Sequence, residues 1–217
     1  MLRPANIRSI YSFNDYRRFL THREAERLEE LARQLLGKRI IHISATDTGG
    51  RVAEILESLV PFEQSLPVES MWRVLTVRHP FFSVTKKIHH ALQGSRATVG
   101  ADGISEGEWQ FYFEQSKDIA YAIAGVHADI LLIHDVELLA AGRIADTSAK
   151  KVFFMHADEP FGNKVSMRLL PCQEGYYLSF LGGDSLWTDA EDDRHLSFLA
   201  WKALDYLELY AEALRMF

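Results

Sequence analysis

The sequence predicts an α/β fold, a doubly wound, mostly parallel sheet flanked by helices. Three observations carry this. Short apolar runs, RIIHISA at 39–45, DILLI at 129–133 and KVFFM at 151–155, have the length and hydrophobicity of strands covered on both faces. Amphipathic helical patterns alternate with them. The first run ends in a glycine turn, Thr46 to Gly50, that leads straight into a helical pattern, the opening of a βα unit.

Taken in order, residues 1–38 read as a helical segment. In EAERLEELARQLL (24–36), Ala25, Leu28, Leu31, Ala32, Leu35 and Leu36 recur at helical spacing, and Gly37 stops the helix. RVAEILESLV (51–60) sets Val52, Ile55, Leu56, Leu59 and Val60 along one face, with Pro61 close to its end. MWRVLTV (71–77) is the next strand. Helices follow over roughly 83–93 and 106–125, the second opened by Ser105 and Glu108 in capping-box spacing. Beyond Pro160 the texture changes. SMRLLP (166–171) and YYLSFL (176–181) read as short strands around Gly175, a hairpin, but the pattern sets no sheet order for 159–187. Thr188 and Glu191, again in capping-box spacing, precede a long amphipathic helix carrying Leu196, Leu199, Ala203, Leu207, Tyr210 and Leu214.

Composition narrows the function. With 217 residues, 47% of them hydrophobic, the chain can bury a core without disulfides. Lys and Arg number 24 against 30 Asp and Glu, a net charge of −6 with no dense basic run, which argues against a nucleic-acid partner. The single cysteine, Cys172, excludes an internal disulfide and suits a reducing compartment. No apolar signal region stands at the N-terminus. The most apolar stretch, 119–142, is interrupted by His127, Asp129, His134, Asp135 and Glu137, so no membrane span is expected. A cytoplasmic chain is the expectation.

Ligands in an open α/β sheet bind outside the carboxyl ends of the strands. Four polar clusters fall there: Thr46 to Gly50, Arg78-His79, His134-Asp135, and His156 with Asp158. The glycine turn either offers backbone N–H groups and a helix N-terminus to a ligand or simply lets strand meet helix tightly. Each His–Asp pair either orients an imidazole for acid–base or hydrogen-bonding work or is satisfied by backbone. No HExxH or comparable spacing links His42, His89, His90, His134 and His156, so neither a metal nor another cofactor is expected. Trp109, Phe111, Tyr112 and Phe113 read as helix core ahead of a sugar-stacking surface.

Together these segments resemble the trehalose synthase family of retaining glycosyltransferases. The family block close to "GGGVAEIL..LVP" is matched by Gly49, Gly50, Val52, Ala53, Glu54, Ile55, Leu56, Leu59, Val60 and Pro61. "FFxVTKxxHxALQG" is matched by Phe81, Phe82, Val84, Thr85, Lys86, His89, Ala91, Leu92, Gln93 and Gly94. The family's "HD" stands as His134-Asp135 and its "HxD" as His156 and Asp158. The likeness covers about residues 10–158, most of the first domain of a two-domain GT-B enzyme.

The resemblance implies a Rossmann-like domain that holds the acceptor sugar, while a second domain binds the nucleotide-sugar donor. It implies His156 and Asp158 as catalytic residues, and Gly49, Gly50, Thr85, Lys86, His89, Gln93, His134 and Asp135 as the sugar pocket, to which this chain's own Arg51 adds a cation suited to a phosphate or carboxylate. After Asp158 only 59 residues remain, too few for another nucleotide-binding sheet. The expectation is therefore a single domain: a βα core over 39–158, a replacement segment over 159–187 and a returning helix over 188–217. Such a chain needs a donor domain or partner chain to complete glucosyl transfer. The alternative is a non-catalytic interaction or regulatory module, a homo-oligomer or a partner of another chain, built on the former interdomain face. Local departures bear on acceptor specificity: Arg51 replaces the third glycine of the turn, His90 an asparagine, and Val136-Glu137 a Pro-Gln pair.

Overall fold

The computed structural model describes residues 2–9, 11–77, 79–92, 103–158, 164–172, 175–181 and 193–215. Side chains are described over the same range except at Arg51, Leu92, 155–158, 164–172, 175–181 and 193–202.

Strand β1 (Leu2–Pro4) and the short helix α1 (Phe13–Arg17) precede α2 (His22–Gln34). There follow β2 (Arg39–Ser44), α3 (Arg51–Gln64), β3 (Glu69–Leu75), α4 (His79–Leu92) and α5 (Glu106–Ala124). Strand β4 (Ile130–His134) leads through a 3-10 turn, Val136–Leu138, into α6 (Leu139–Ile144). Then come β5 (Lys150–Asp158), β6 (Lys164–Cys172), β7 (Gly175–Leu181) and α7 (Asp193–Arg215). One seven-stranded sheet has the order β1-β3-β2-β4-β5-β6-β7. Its centre, β3-β2-β4-β5, is parallel, and β1, β6 and β7 are antiparallel additions at the two edges. The expected doubly wound α/β fold is present.

Alternation along the strands divides the core into two layers. Ile40, Trp72, Val74, Ile130, Leu132, Val152 and Phe154 face α1, α2, α3 and α7. Ile41, Ile43, Leu75, Leu131, Ile133 and Phe153 face α4, α5 and α6. Gly37 takes φ +71° just past α2, as expected of a helix stop.

Several elements differ from the pattern-based reading. Strand β1 lies inside the stretch expected to be helical, pairing Leu2 with Leu75; three residues are too few to display a period. Helix α2 starts earlier because Thr21 and Glu24 form a capping box. Helix α3 runs through Pro61 to Gln64, and its last turn is held by burial. Phe62 sits edge-on to Phe13 and Tyr16, and Glu63 is wholly enclosed. The 166–171 and 176–181 segments do form a hairpin, with Cys172 opposite Gly175, and it adds to the β5 edge. The expected cap at Thr188 lies outside the described residues. Among the described residues no helix is long and apolar enough to cross a membrane.

Candidate functional site

The strand order places the site. From β2 the chain steps to β3 on one side and then crosses back to β4 on the other. The two connections leave in opposite directions and open a crevice between the carboxyl ends of β2 and β4. Those ends are the Thr46–Gly50 turn and the His134-Asp135 corner, brought side by side by the pairing of Ile43 with Ile133.

The β2 turn is held from within. Ser44 Oγ donates to the Thr46 carbonyl (3.0 Å), Thr46 Oγ1 donates to the Thr48 carbonyl (3.0 Å), and Thr48 N–H donates to Thr46 Oγ1 (3.1 Å). Arg3 grips both Asp47 oxygens at 2.7 and 2.8 Å, and the Asn6 N–H adds a third bond at 2.9 Å. The Arg3 hydrogen bond holds the Asp47 carboxyl well below the usual carboxylate range, against the opposing effect of burial. Beyond Asp47, Gly49 (φ +69°) and Gly50 (φ +83°, ψ 159°) adopt backbone conformations that L side chains rarely take. Among the described residues, chain neighbours apart, nothing lies within 4 Å of where a Cβ would stand on either glycine. Gly50 caps α3, whose first-turn N–H groups have no intrahelical acceptors.

At the β4 end, Asp135 has φ 63° and ψ 169°, a region in which nearly all residues are glycine. Its N–H donates to the Phe154 carbonyl (2.7 Å) and its own carbonyl accepts from Leu138 N–H (3.2 Å). The following 3-10 turn is pinned from α5. Tyr112 OH donates to the Val136 carbonyl (2.8 Å) and accepts from Ala140 N–H (3.2 Å). Partly buried Glu137 has its carboxyl pushed up by burial, with Thr85 Oγ1 3.5 Å away. The surroundings therefore over-determine the Asp135 corner.

Beneath these two ends lies a polar chain in an otherwise apolar layer. His134 and His42 are both fully buried, and His42 Nδ1 is 3.2 Å from His134 Nε2. His42 Nε2 is 3.0 Å from Glu63 Oε2. Glu63 also accepts from Ser70 Oγ and from Tyr210 OH, each at 2.5 Å. The sequence pattern marks His42 only as a candidate metal ligand and Tyr210 only as part of the last helix's apolar stripe, and it singles out neither Glu63 nor Ser70. The signal existed: Glu63 continues the α3 stripe of Leu56 and Leu59, and Tyr210 lies on the stripe of Ala203 and Leu207.

The other expected site residues are distributed as follows. Thr85 is fully buried under the β4 loop and also donates to the Phe82 carbonyl (3.3 Å). Lys86 is exposed on α4, and His89 is partly buried with its ring 6.3 Å from that of His90. Arg51 opens α3, but its side chain, like all of Gln93, lies outside the described residues. The backbone of His156 and Asp158 ends β5 opposite Ser166 and Lys164, and their side chains also lie outside the description. Gly49, Gly50 and Asp135 thus share the crevice rim, Thr85 joins α4 to it, and Lys86 points to solvent. An open groove of about 460 Å³, lined by Arg39, Met71, Arg73 and His127 among others, lies away from this rim.

The family model described as trehalose synthase, N-terminal domain, matches residues 42–172. The chain belongs to this family. The match takes in every expected site residue and continues through β6. Curated relatives agree with it. The trehalose synthase of Rubrobacter xylanophilus is 38% identical over 123 residues, 56% of this chain and 28% of the relative. That of Pyrococcus horikoshii is 31% identical over 144 residues, 66% of this chain and 34% of the relative. That of Thermococcus litoralis is 35% identical over 121 residues, 56% and 28% respectively. The chain therefore spans about a third of the length of the trehalose synthases it matches.

Proposed function

We propose that this chain is the acceptor-sugar half of a glycosyltransferase, binding a glucose-type sugar in the crevice between the β2 turn and the β4 corner. The observation that carries the reading is the Asp135 backbone. A non-glycine residue in a glycine-only conformation is unfavourable by about 1–3 kcal/mol and persists where a site needs its geometry. It stands at the topological switch point, next to the glycine turn and a helix N-terminus. A neutral sugar is recognised by hydrogen bonds in both senses. Here a carboxylate accepts from hydroxyls, and backbone N–H groups of the turn donate to them. Fixed polar groups of this kind need no reorganisation when the sugar arrives.

In this reading His156 and Asp158, at the end of the neighbouring parallel strand, are the catalytic pair. His89, Gln93 and Arg51 complete the pocket, while Thr85, buried beneath the β4 loop, holds α4 against it and Lys86 stands on the solvent side of α4. Neutralising donor phosphates is a large electrostatic requirement. A donor-binding unit, in the same polypeptide or a partner chain, meets it, and the present residues do not complete glucosyl transfer alone. Ligand-observed NMR with the purified chain tests this. Glucose is expected to give saturation transfer that His156→Ala and Asp158→Ala abolish while the fold is kept. Unchanged affinity in both variants would overturn the residue assignment. Silence from glucose, trehalose, glucose phosphates and nucleotide-glucose alike would overturn the sugar reading in favour of an interaction module.

A further inference from the structure

Glu63 is a carboxylate in a fully enclosed position. Two hydroxyls point at it. Tyr210 OH gives its hydrogen to Oε1 and Ser70 Oγ gives its hydrogen to Oε2. Its third neighbour, His42 Nε2, must then carry a hydrogen, since a carboxylate oxygen only accepts. With a single hydrogen on the His42 ring, Nδ1 is then the lone-pair nitrogen and takes the hydrogen of His134 Nε2 at 3.2 Å. The two rings lie nearly parallel, 18° apart, with centroids separated by 5.4 Å. One carboxylate thus sets two tautomers in succession, ending at the residue that precedes the Asp135 corner.

We propose that Glu63 and Tyr210 are positioning residues for the crevice: through His42 they fix the tautomer and orientation of His134, and so the Asp135 corner that meets the sugar. This rests on the acceptor-sugar reading above. Placement supports a role beyond cohesion. A buried carboxylate and two imidazoles stabilise a core no better than apolar side chains of the same volume. Helix α3 carries the Gly50 turn at one end and Glu63 at the other, so the two rims of the crevice are tied to one network. Tyr210 brings α7, near the other end of the chain, into the same network; its hydroxyl lies 3.3 Å from His42 Nε2 as well.

Long-range ¹H–¹⁵N spectra of the histidine rings in the full chain read the tautomers directly. The wild type is expected to show hydrogen on Nε2 of both His42 and His134. Glu63→Gln presents an amide that no longer demands a hydrogen from His42, so the His134 signature is expected to change. Glucose affinity is expected to fall about 3- to 30-fold with it. Tyr210→Phe keeps the carboxylate and serves where Glu63→Gln folds poorly; its expected affinity loss is smaller but in the same direction. Leu59→Ala, on the same face of α3 but outside the network, destabilises the fold and is expected to leave tautomers and affinity unchanged. Hydrogen on Nδ1 of His42 in the wild type would overturn the proposal. So would a folded Glu63→Gln chain with an unaltered His134 signature and unaltered affinity. Absence of glucose binding to the wild type would sink the acceptor reading alone, because the tautomer comparison decides the relay independently.

Discussion

Replacing Tyr210 by Phe removes one oxygen atom from the centre of the buried network and leaves the packing shape of the ring in place. Tyr210 is fully buried, and its hydroxyl donates to Glu63 Oε1. A hydrogen bond to a charged group contributes about 1.5–3 kcal/mol net, and no cavity of consequence accompanies the loss. Glu63 keeps Ser70 and His42 as donors, so about 2 kcal/mol is the expected destabilisation. Urea unfolding reads it as a midpoint lowered by about 1 M at a slope near 2 kcal/mol/M, with the slope unchanged. The decisive control is the same substitution in a Glu63→Leu background. With no carboxylate to serve, Tyr210→Phe should change stability by less than about 0.5 kcal/mol, giving a coupling of about 1.5 kcal/mol. A Tyr210→Phe loss below about 0.5 kcal/mol in the parent, or an equal loss in both backgrounds, would refute the reasoning.

Three further outcomes follow from other parts of the fold. Asp135→Gly relieves the φ 63° strain and is expected to raise the thermal midpoint while weakening glucose binding; a lowered midpoint with intact binding would contradict the role given to that corner. Gly142→Ala places a methyl 2.5 Å from Ile133 Cδ1 and 3.1 Å from its Cγ2, so it should destabilise by about 1–2 kcal/mol despite the better helix propensity of alanine, and Ile133→Val in the same chain should restore part of the loss. The Asp47 carboxyl is held low by Arg3, so its folded pKa lies below its unfolded value of about 3.9. Its contribution is present above that value and lost as pH falls through the folded pKa, and Asp47→Asn should flatten the acid limb of the stability profile.

Much of the fold was legible in the sequence because its parallel strands are buried on both faces and need uniform apolar runs. The runs at 39–45, 129–133 and 151–155 became β2, β4 and β5, and the glycine turn opened α3 as expected. Strand β1 was not legible, since its pairing with β3 is a long-range fact that three residues do not encode locally. The place of the hairpin beside β5 was hidden for the same reason.

The candidate site was legible in part. Gly49, Gly50 and Asp135 stand at the crevice because strand ends are easy to find once strands are. What sequence pattern did not convey is which strand-end residues turn inward. His134 closes β4 on the face of Ile130 and Leu132, and so points into the core toward His42. Glu63 and Tyr210 were invisible as a pair because they lie 147 positions apart in the sequence. Each occupies a slot on its helix that periodicity reserves for an apolar side chain.

Saturation-transfer NMR of the unmodified chain with glucose tests the central claim most directly. The account predicts transfer to glucose that Asp135→Ala removes while the rest of the spectrum stays folded. No transfer to glucose, or transfer that Asp135→Ala leaves unchanged, would contradict a sugar site at the switch-point crevice.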